Sequence, residues 1–346
     1  EQLLAAGATD SERRQRKALD GARVAFDQYL DDLKQLNLTA PSRQNELEPA
    51  MPKQLNRSVP LSNGLEMPRL GLGTTMLNGK KGKEAIVQAL HMGYRLIDTA
   101  QAYENEVEVG EAWQLSKLPR EEIFIATKLS DDRSCKRKKA KALVSLQLKK
   151  LKISYIDQYM LHGPCPGMLG AWKDLEELYD EGVLRSLGVS NFNYDDLIRF
   201  NAKVRVKPHV VQNKFSIYHR GWAPVEKLDV AQKLQDEGVV VMGFCNLDAY
   251  PHVLQPMEDV HVKRIAQRHG RSAAQVLLRH ALQHGTVVIP KSERADRLRE
   301  NADIFDFELS EAEMRFLDAL PLLAYHFERP AVEDLFSSDL GLKVEL

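Results

Sequence analysis

From Leu70 onward the chain alternates short apolar runs with longer amphipathic stretches. The runs begin near Leu70, Arg95, Ile123, Ile156, Arg185, Val210, Val239 and Thr286. Each is short and ends abruptly in polar residues, as a buried parallel strand does. Between them, apolar residues recur at spacings of three and four. Ala140, Leu143, Val144, Leu148 and Leu151 share one face of Lys136–Leu151, and Trp172, Leu175, Leu178 and Tyr179 share one face of Trp172–Glu181. Eight strands in alternation with helices predict an α/β protein, a closed (β/α)8 TIM barrel. Ahead of it, Val59–Met67 reads as a β-hairpin turning at Asn63-Gly64.

Residues 1–50 follow another pattern. Thr9 and Glu12 form a capping box. Leu19, Ala22, Phe26, Tyr29, Leu33 and Leu36 then draw one apolar seam along an appended N-terminal α-helix that ends at Pro41-Ser42. The chain thus divides into a helical extension and linker (1–50), a barrel (51–320) and a weakly periodic tail laid over the barrel (321–346). A lone helix is marginal in water, so something must cover the seam. Either the barrel's own helices do so, or a protein partner does through residues 10–40. The polar linker from Ser42 to Asn56 is long enough to hold the helix away, which favours the partner and makes the extension a tether.

With 346 residues and a formal charge of −1, the chain has the length for a large core and no global field that would attract nucleic acid. The basic run Cys135–Lys141 lacks interleaved aromatics and reads as a solvated face. No apolar run approaches a membrane span, so a soluble protein is expected. Cys135, Cys165 and Cys245 are few, scattered and odd in number. They suggest free thiols in a reducing compartment, the cytoplasm or an organelle interior. The chain starts at Glu1, as a processed or trimmed chain would. Its ten histidines include no HExxH or other metal spacing, and no metal is expected.

The chemistry gathers at strand ends, where barrels place it. Asp98 and Tyr103 follow the strand in Gly93–Tyr103, Lys128 ends Ile123–Lys128, and His162 ends Ile156–His162. Together they are the parts of a proton-transfer site. An ammonium beside a tyrosine makes it a better acid, and a carboxylate can hold the ammonium in place. Ser190 and Asn191 end the fifth strand and Gln212 the sixth, hydroxyl and amide groups suited to a carboxamide. Phe244, ending the seventh, reads by itself as a core residue, with stacking on a flat heterocycle as the alternative. After the eighth come Lys291, Ser292, Arg297, Glu300 and Asn301. A lysine, a serine and a helix start there make an anion site in which Lys291 and Arg297 bracket a phosphate monoester. Gly71-Leu-Gly73 resembles half of a dinucleotide fingerprint. It lacks the third glycine and the following acidic residue, and reads as a tight strand–loop junction.

These residues resemble the aldo-keto reductase family over roughly Met51 to Leu320. Gly93–Ala100 with Glu106 and Val109-Gly110 is similar to its first signature, Arg185–Phe192 to its second, and Ile289–Ser292 with Arg297 and Glu300-Asn301 to its third. The resemblance implies a barrel that binds NADP(H) without a Rossmann domain and reduces carbonyls. Carried over, Tyr103 protonates the carbonyl oxygen, Lys128 paired with Asp98 acidifies it, and His162 orients the substrate. Ser190, Asn191 and Gln212 would bind the nicotinamide carboxamide, and Phe244 would stack on the ring. Lys291, Ser292, Arg297, Glu300 and Asn301 would hold the adenosine phosphate. Thr75 and Gly163 stand where the family often has tryptophan, and Cys245-Asn246-Leu247 where it has Ser-Pro-Leu. An open pocket for a small carbonyl substrate is therefore expected. The alternative is an NADP(H)-binding structural or regulatory subunit tethered by the N-terminal helix.

Overall fold

Two strands, β1 (Ser58–Pro60) and β2 (Glu66–Pro68), pair antiparallel with Val59 opposite Met67. They form the expected hairpin, and Gly64 takes the left-handed conformation its turn needs, at φ 83°. The structure, a computed structural model, describes residues 57–130, 134–218, 230–248 and 255–327, with side chains to 320. The expected helix, seam and linker of 1–50 lie outside the described residues, and with them the partner contact through 10–40.

Alternation then proceeds as the pattern predicts: β3 (Gly71–Gly73), α1 (Gly79–His91), β4 (Leu96–Asp98), α2 (Glu106–Ser116), β5 (Phe124–Leu129), α3 (Lys139–Leu151), β6 (Gln158–Leu161) and α4 (Met168–Asp180). It continues with β7 (Leu187–Ser190), α5 (Tyr194–Asn201), β8 (Val210–Lys214), α6 (Val230–Asp236), β9 (Val240–Phe244), α7 (Val260–His269), α8 (Ala273–Gln283), β10 (Val287–Val288), α9 (Ala295–Ala302) and α10 (Glu311–Phe327). The last described helix runs through residue 320, and the expected tail from residue 328 onward lies outside the described residues.

Strands β3 to β10 are parallel neighbours in chain order. A parallel bridge from Leu70 to Val288 joins the two ends, with the Val288 amide donating to the Arg69 carbonyl at 2.9 Å. The Gly73 amide donates across the same seam to Pro290 at 3.2 Å. A Cβ on Gly73 would lie 2.7 Å from the Ile289 carbonyl oxygen. Its role is therefore close backbone approach at the barrel closure, which agrees with the strand–junction reading.

Side chains alternate in and out of the barrel with period two. The inward set is apolar below: Leu96, Phe124, Ala126, Met160, Val210, Val240, Met242, Val287 and Ile289 pack with Leu61 and Met67 of the hairpin. Two residues further along these strands, the same parity brings Asp98, Lys128, His162, Gln212, Phe244 and Lys291 to the upper mouth, where Ser190 ends β7. Outward residues meet the helices. Fully buried Trp172 packs edge-on against Phe200, with ring centroids 4.9 Å apart, and its Nε1 donates to Val206 O at 3.0 Å. The signature residue Gly110 lets α2 approach the end of α3, since a Cβ there would sit 2.6 Å from the Leu151 carbonyl oxygen.

The cysteines correct an expectation. Cys135 and Cys165 form a disulfide, with Cα atoms 6.4 Å apart, and Cys245 is the free thiol. Consecutive βα loops of a parallel barrel emerge side by side, so residues 30 apart in sequence become neighbours. Scattered spacing could not reveal that, and the thiol-based argument for a reducing compartment falls with it. Among the described residues, no helix is long and apolar enough to cross a membrane.

Candidate active site

At the mouth, β4 and β5 lie in register with Asp98 beside Ala126, and Lys128 extends one inward step further. The Lys128 ammonium is fully buried and spends its three donors on Asp98 Oδ1 (2.8 Å), Asp98 Oδ2 (2.7 Å) and Thr99 O (3.0 Å). A buried cation needs such pairing. Burial, the largest single influence, pushes its pKa down, but the Asp98 carboxylate and the Tyr103 hydroxyl together hold the net value above the ordinary lysine pKa. Thr74 fixes the strand end from below, its hydroxyl donating to Asp98 O at 2.9 Å.

Tyr103 ends a single 3-10 turn, Gln101–Tyr103, which sets its ring against the ion pair. The Lys128 nitrogen lies 5.1 Å from the ring centroid, and the His162 ring meets it edge-on at 5.6 Å. The expectation that Lys128 acidifies Tyr103 holds in direction but not in outcome. Burial raises the phenol pKa more than Lys128 lowers it, and Asp98 adds to the rise. Tyr103 is therefore fully protonated at neutral pH, the form a proton donor requires. Burial, then the nearby Lys128 charge, lowers His162 to about 4, so its imidazole is neutral.

Sequence reasoning missed Ser130, two residues past Lys128. Its hydroxyl is hydrogen-bonded to His162 Nδ1, and its amide is held by Gln101 Oε1 at 3.0 Å. When the Ser130 hydroxyl donates in this bond, Nδ1 is the acceptor and the His162 proton sits on Nε2, the nitrogen left for a ligand. The one sequence signal was a polar residue ending an otherwise apolar strand.

Asp98, Tyr103, His162, Ser190, Asn191, Gln212, Phe244 and Lys291 line one cavity of about 500 Å³, together with Thr75 and Cys245-Asn246-Leu247. Ser292, Arg297, Glu300 and Asn301 stand outside that lining. Ser292 and Asn301 are buried and Arg297 is exposed, on or just before α9. Lys291 lies 3.5 Å from Glu293, a loose pairing at the exposed rim.

The walls suit a nicotinamide. Asn191 adopts the left-handed conformation, φ 57°, and its Nδ2 donates to His162 O (2.8 Å) and Ser190 Oγ (3.0 Å). Gln212 turns its Nε2 to Asp98 Oδ1 at 2.8 Å, so its carbonyl oxygen is what it can offer a carboxamide N–H. The Asn246 Oδ1 is a buried acceptor with no hydrogen-bond partner among the described residues. Hydroxyl donor, amide acceptors and the half-buried Phe244 ring are the groups a carboxamide-bearing heterocycle requires.

Comparison with known proteins agrees with this arrangement. The model of the aldo/keto reductase family matches residues 69–249 and 257–321. The glyoxal reductase of Bacillus subtilis is 38% identical over 275 residues, which cover 78% of this chain and 95% of that protein. Methylglyoxal reductase DkgA of Escherichia coli is 34% identical over 259 residues, covering 74% and 90%. Among solved structures, an aldo-keto reductase from a Medee basin deep-sea metagenome superposes with a TM-score of 0.71 at 31% identity, covering 77% of this chain and 95% of that one. The aldose reductase of Schistosoma japonicum gives 0.70 at 31%, covering 77% and 92%. A buried lysine–aspartate pair beneath a protonated tyrosine, on a barrel of this topology and with these relatives, leads to one conclusion: the chain is an oxidoreductase that belongs to the aldo/keto reductase family.

Proposed function

We propose that this enzyme uses NADPH to reduce the carbonyl of a small aldehyde or ketone, with 1,2-dicarbonyls of the glyoxal type as the first candidates. The observation that carries the reading is the buried Lys128–Asp98 pair set against Tyr103 at the floor of the cavity. NADPH supplies the hydride when bound. Tyr103 donates its phenolic proton to the carbonyl oxygen. Lys128, locked by Asp98, stabilises the phenolate that remains, and its attraction for that charge eases the release. Neutral His162 orients the carbonyl through Nε2–H. Ser190, Asn191 and Gln212 hold the carboxamide, and Phe244 covers the ring. Lys291 and Arg297, with Ser292, Glu300 and Asn301, grip the adenosine end, which extends beyond the cavity.

Two features support a small substrate. The two curated relatives named above carry glyoxal and methylglyoxal in their names. Thr75 lines the wall where a tryptophan would narrow it. The alternative of a structural or regulatory subunit has no support, since all four groups of the proton-transfer site are present. The test is NADPH oxidation by the full-length protein with glyoxal, methylglyoxal and bulkier aromatic aldehydes. Turnover should be highest with the small dicarbonyls. Tyr103→Phe should lose roughly 10²–10⁴-fold in kcat while still binding NADPH. Near-normal turnover in that variant would assign the proton to another group.

A further inference from the structure

Outside the barrel, α8 and α10 bring together three metal-capable side chains that the reductase chemistry does not use. His280 lies on α8 and His284 caps its C-terminus, one helical turn on. Asp318 faces them from α10. The Nε2 atoms of His280 and His284 each lie 2.8 Å from the same carboxylate oxygen, Asp318 Oδ1. All three ligand atoms fall within 4.8 Å of one another. None of the three lines the catalytic cavity.

We propose that His280, His284 and Asp318 form a divalent transition-metal site of the zinc class, tying α8 to α10. Spacing, ligand chemistry and access each support it. Histidines four apart at the end of a helix project to the same side, which brings both imidazoles to one carboxylate oxygen. Two imidazoles and a carboxylate suit Zn2+ and its neighbours Co2+ and Ni2+ rather than Mg2+ or Ca2+. In a tetrahedral site with bonds of about 2.0–2.2 Å, ligand atoms stand roughly 3.3 Å apart. The two contacts to Asp318 therefore need to open by about half an ångström, and the two imidazole nitrogens, which lie within 4.8 Å of each other, need to close by up to about 1.5 Å, a side-chain adjustment. His280 is fully buried and rigidly placed, while His284 and Asp318 are 24% and 26% exposed. Asp318 also lines a surface cleft with Gln283, Leu309 and Met314, which gives an ion a way in and water a fourth position. The Phe215 ring packs beside both imidazoles, at 6.4 and 5.8 Å between centroids, and shields one side of the site.

The site sits between the helix that precedes the last barrel strand and the C-terminal helix. Occupancy therefore fastens α10 to the barrel wall and leaves the reduction chemistry alone. His280 and His284 escaped the sequence reading because their spacing lacks the glutamate of HExxH and their third partner is 34 residues beyond His284.

The experiment uses full-length protein stripped with a chelator. Zn2+ is titrated by calorimetry, Co2+ binding is followed by its visible absorption, and melting is recorded with and without Zn2+. One equivalent should bind, with the Co2+ spectrum of a four-coordinate site and a Tm that rises with Zn2+ concentration. His284→Gln keeps a donor to Asp318 but removes the ligand nitrogen, and Asp318→Asn removes the carboxylate charge. Both should fold and keep carbonyl reduction, yet lose affinity by more than the roughly 10–100-fold typical of an outer-shell change. Absence of a one-equivalent event in the wild type, or equal binding by both variants, overturns the proposal. The trio is then a hydrogen-bonded clamp, and any bound ion belongs to the protein's other histidines.

Discussion

Gln212 Nε2 donates to Asp98 Oδ1 at 2.8 Å, joining residues 114 positions apart. The side chain that should hold the carboxamide is thus bonded to the anchor of the catalytic lysine. The proposed cofactor seat and the proton-transfer site share a hydrogen bond, and disturbance of one should be felt by the other. Gln212→Leu should weaken NADPH binding and also lower kcat by roughly tenfold or more, the scale of a hydrogen bond to a charged group. Stopped-flow binding and steady-state rates separate the two. A change in binding alone would mean that the Asp98 contact is idle.

Ser130 and His162 make a second testable pair. Ser130→Ala frees Nδ1 to take the proton, so kcat should fall about 2- to 10-fold, the range expected for one neutral hydrogen bond. NADPH affinity should be unchanged. Loss of cofactor affinity without loss of rate would assign Ser130 a different task.

His162 also sets a pH dependence. Its pKa is lowered from 6.5 to about 4 in the folded protein. Between those values the unfolded chain binds a proton that native His162 refuses, so stability rises with pH across the window. It is complete above the unfolded value and is lost as pH falls to about 4. His162→Gln should remove roughly 1–3 kcal/mol of that slope, read from urea unfolding at several pH values. An identical slope in the variant would place the titration elsewhere.

The proposed preference for NADPH depends on the exposed end of the site. Arg297 lies on α9, six residues after Lys291, which precedes that helix. Charge-assisted bonds are about twice as strong as neutral ones. Arg297→Ala should therefore weaken NADPH at least about tenfold and leave NADH nearly unaffected, measured by fluorescence titration of both. Equal losses would show that the guanidinium does not meet the 2′-phosphate.

The Cys135–Cys165 bond closes a 30-residue separation between neighbouring loops. Unreduced, denatured protein should show one reactive thiol, Cys245, and reduction should expose all three. Reduction should cost about 2–4 kcal/mol of stability, read as a lower urea midpoint. Three thiols before reduction would return these cysteines to the free state first expected of them.

How much of this was legible in the sequence follows from what kind of interaction each feature depends on. Strand–helix alternation is local. Runs such as Phe124–Leu129 and seams such as Ala140–Leu151 declare their period within a few residues, so the barrel and its strand ends could be read directly. Asp98, Lys128, His162, Ser190 and Gln212 were legible because each marks the polar end of an apolar run, with Tyr103 five residues past the first of them, and a barrel brings such ends to one mouth. What a side chain does there depends on neighbours from distant strands. Burial decides the Tyr103 proton against the pull of Lys128. The Gln212 Nε2 is committed to Asp98 and the Met242 sulfur. Adjacent loops turn two scattered cysteines into a pair, and two helices packed on the barrel wall converge His280, His284 and Asp318 on one oxygen. Periodicity reports which face a residue takes. Distance, desolvation and pairing are properties of the closed barrel, and they exist only once the chain has folded.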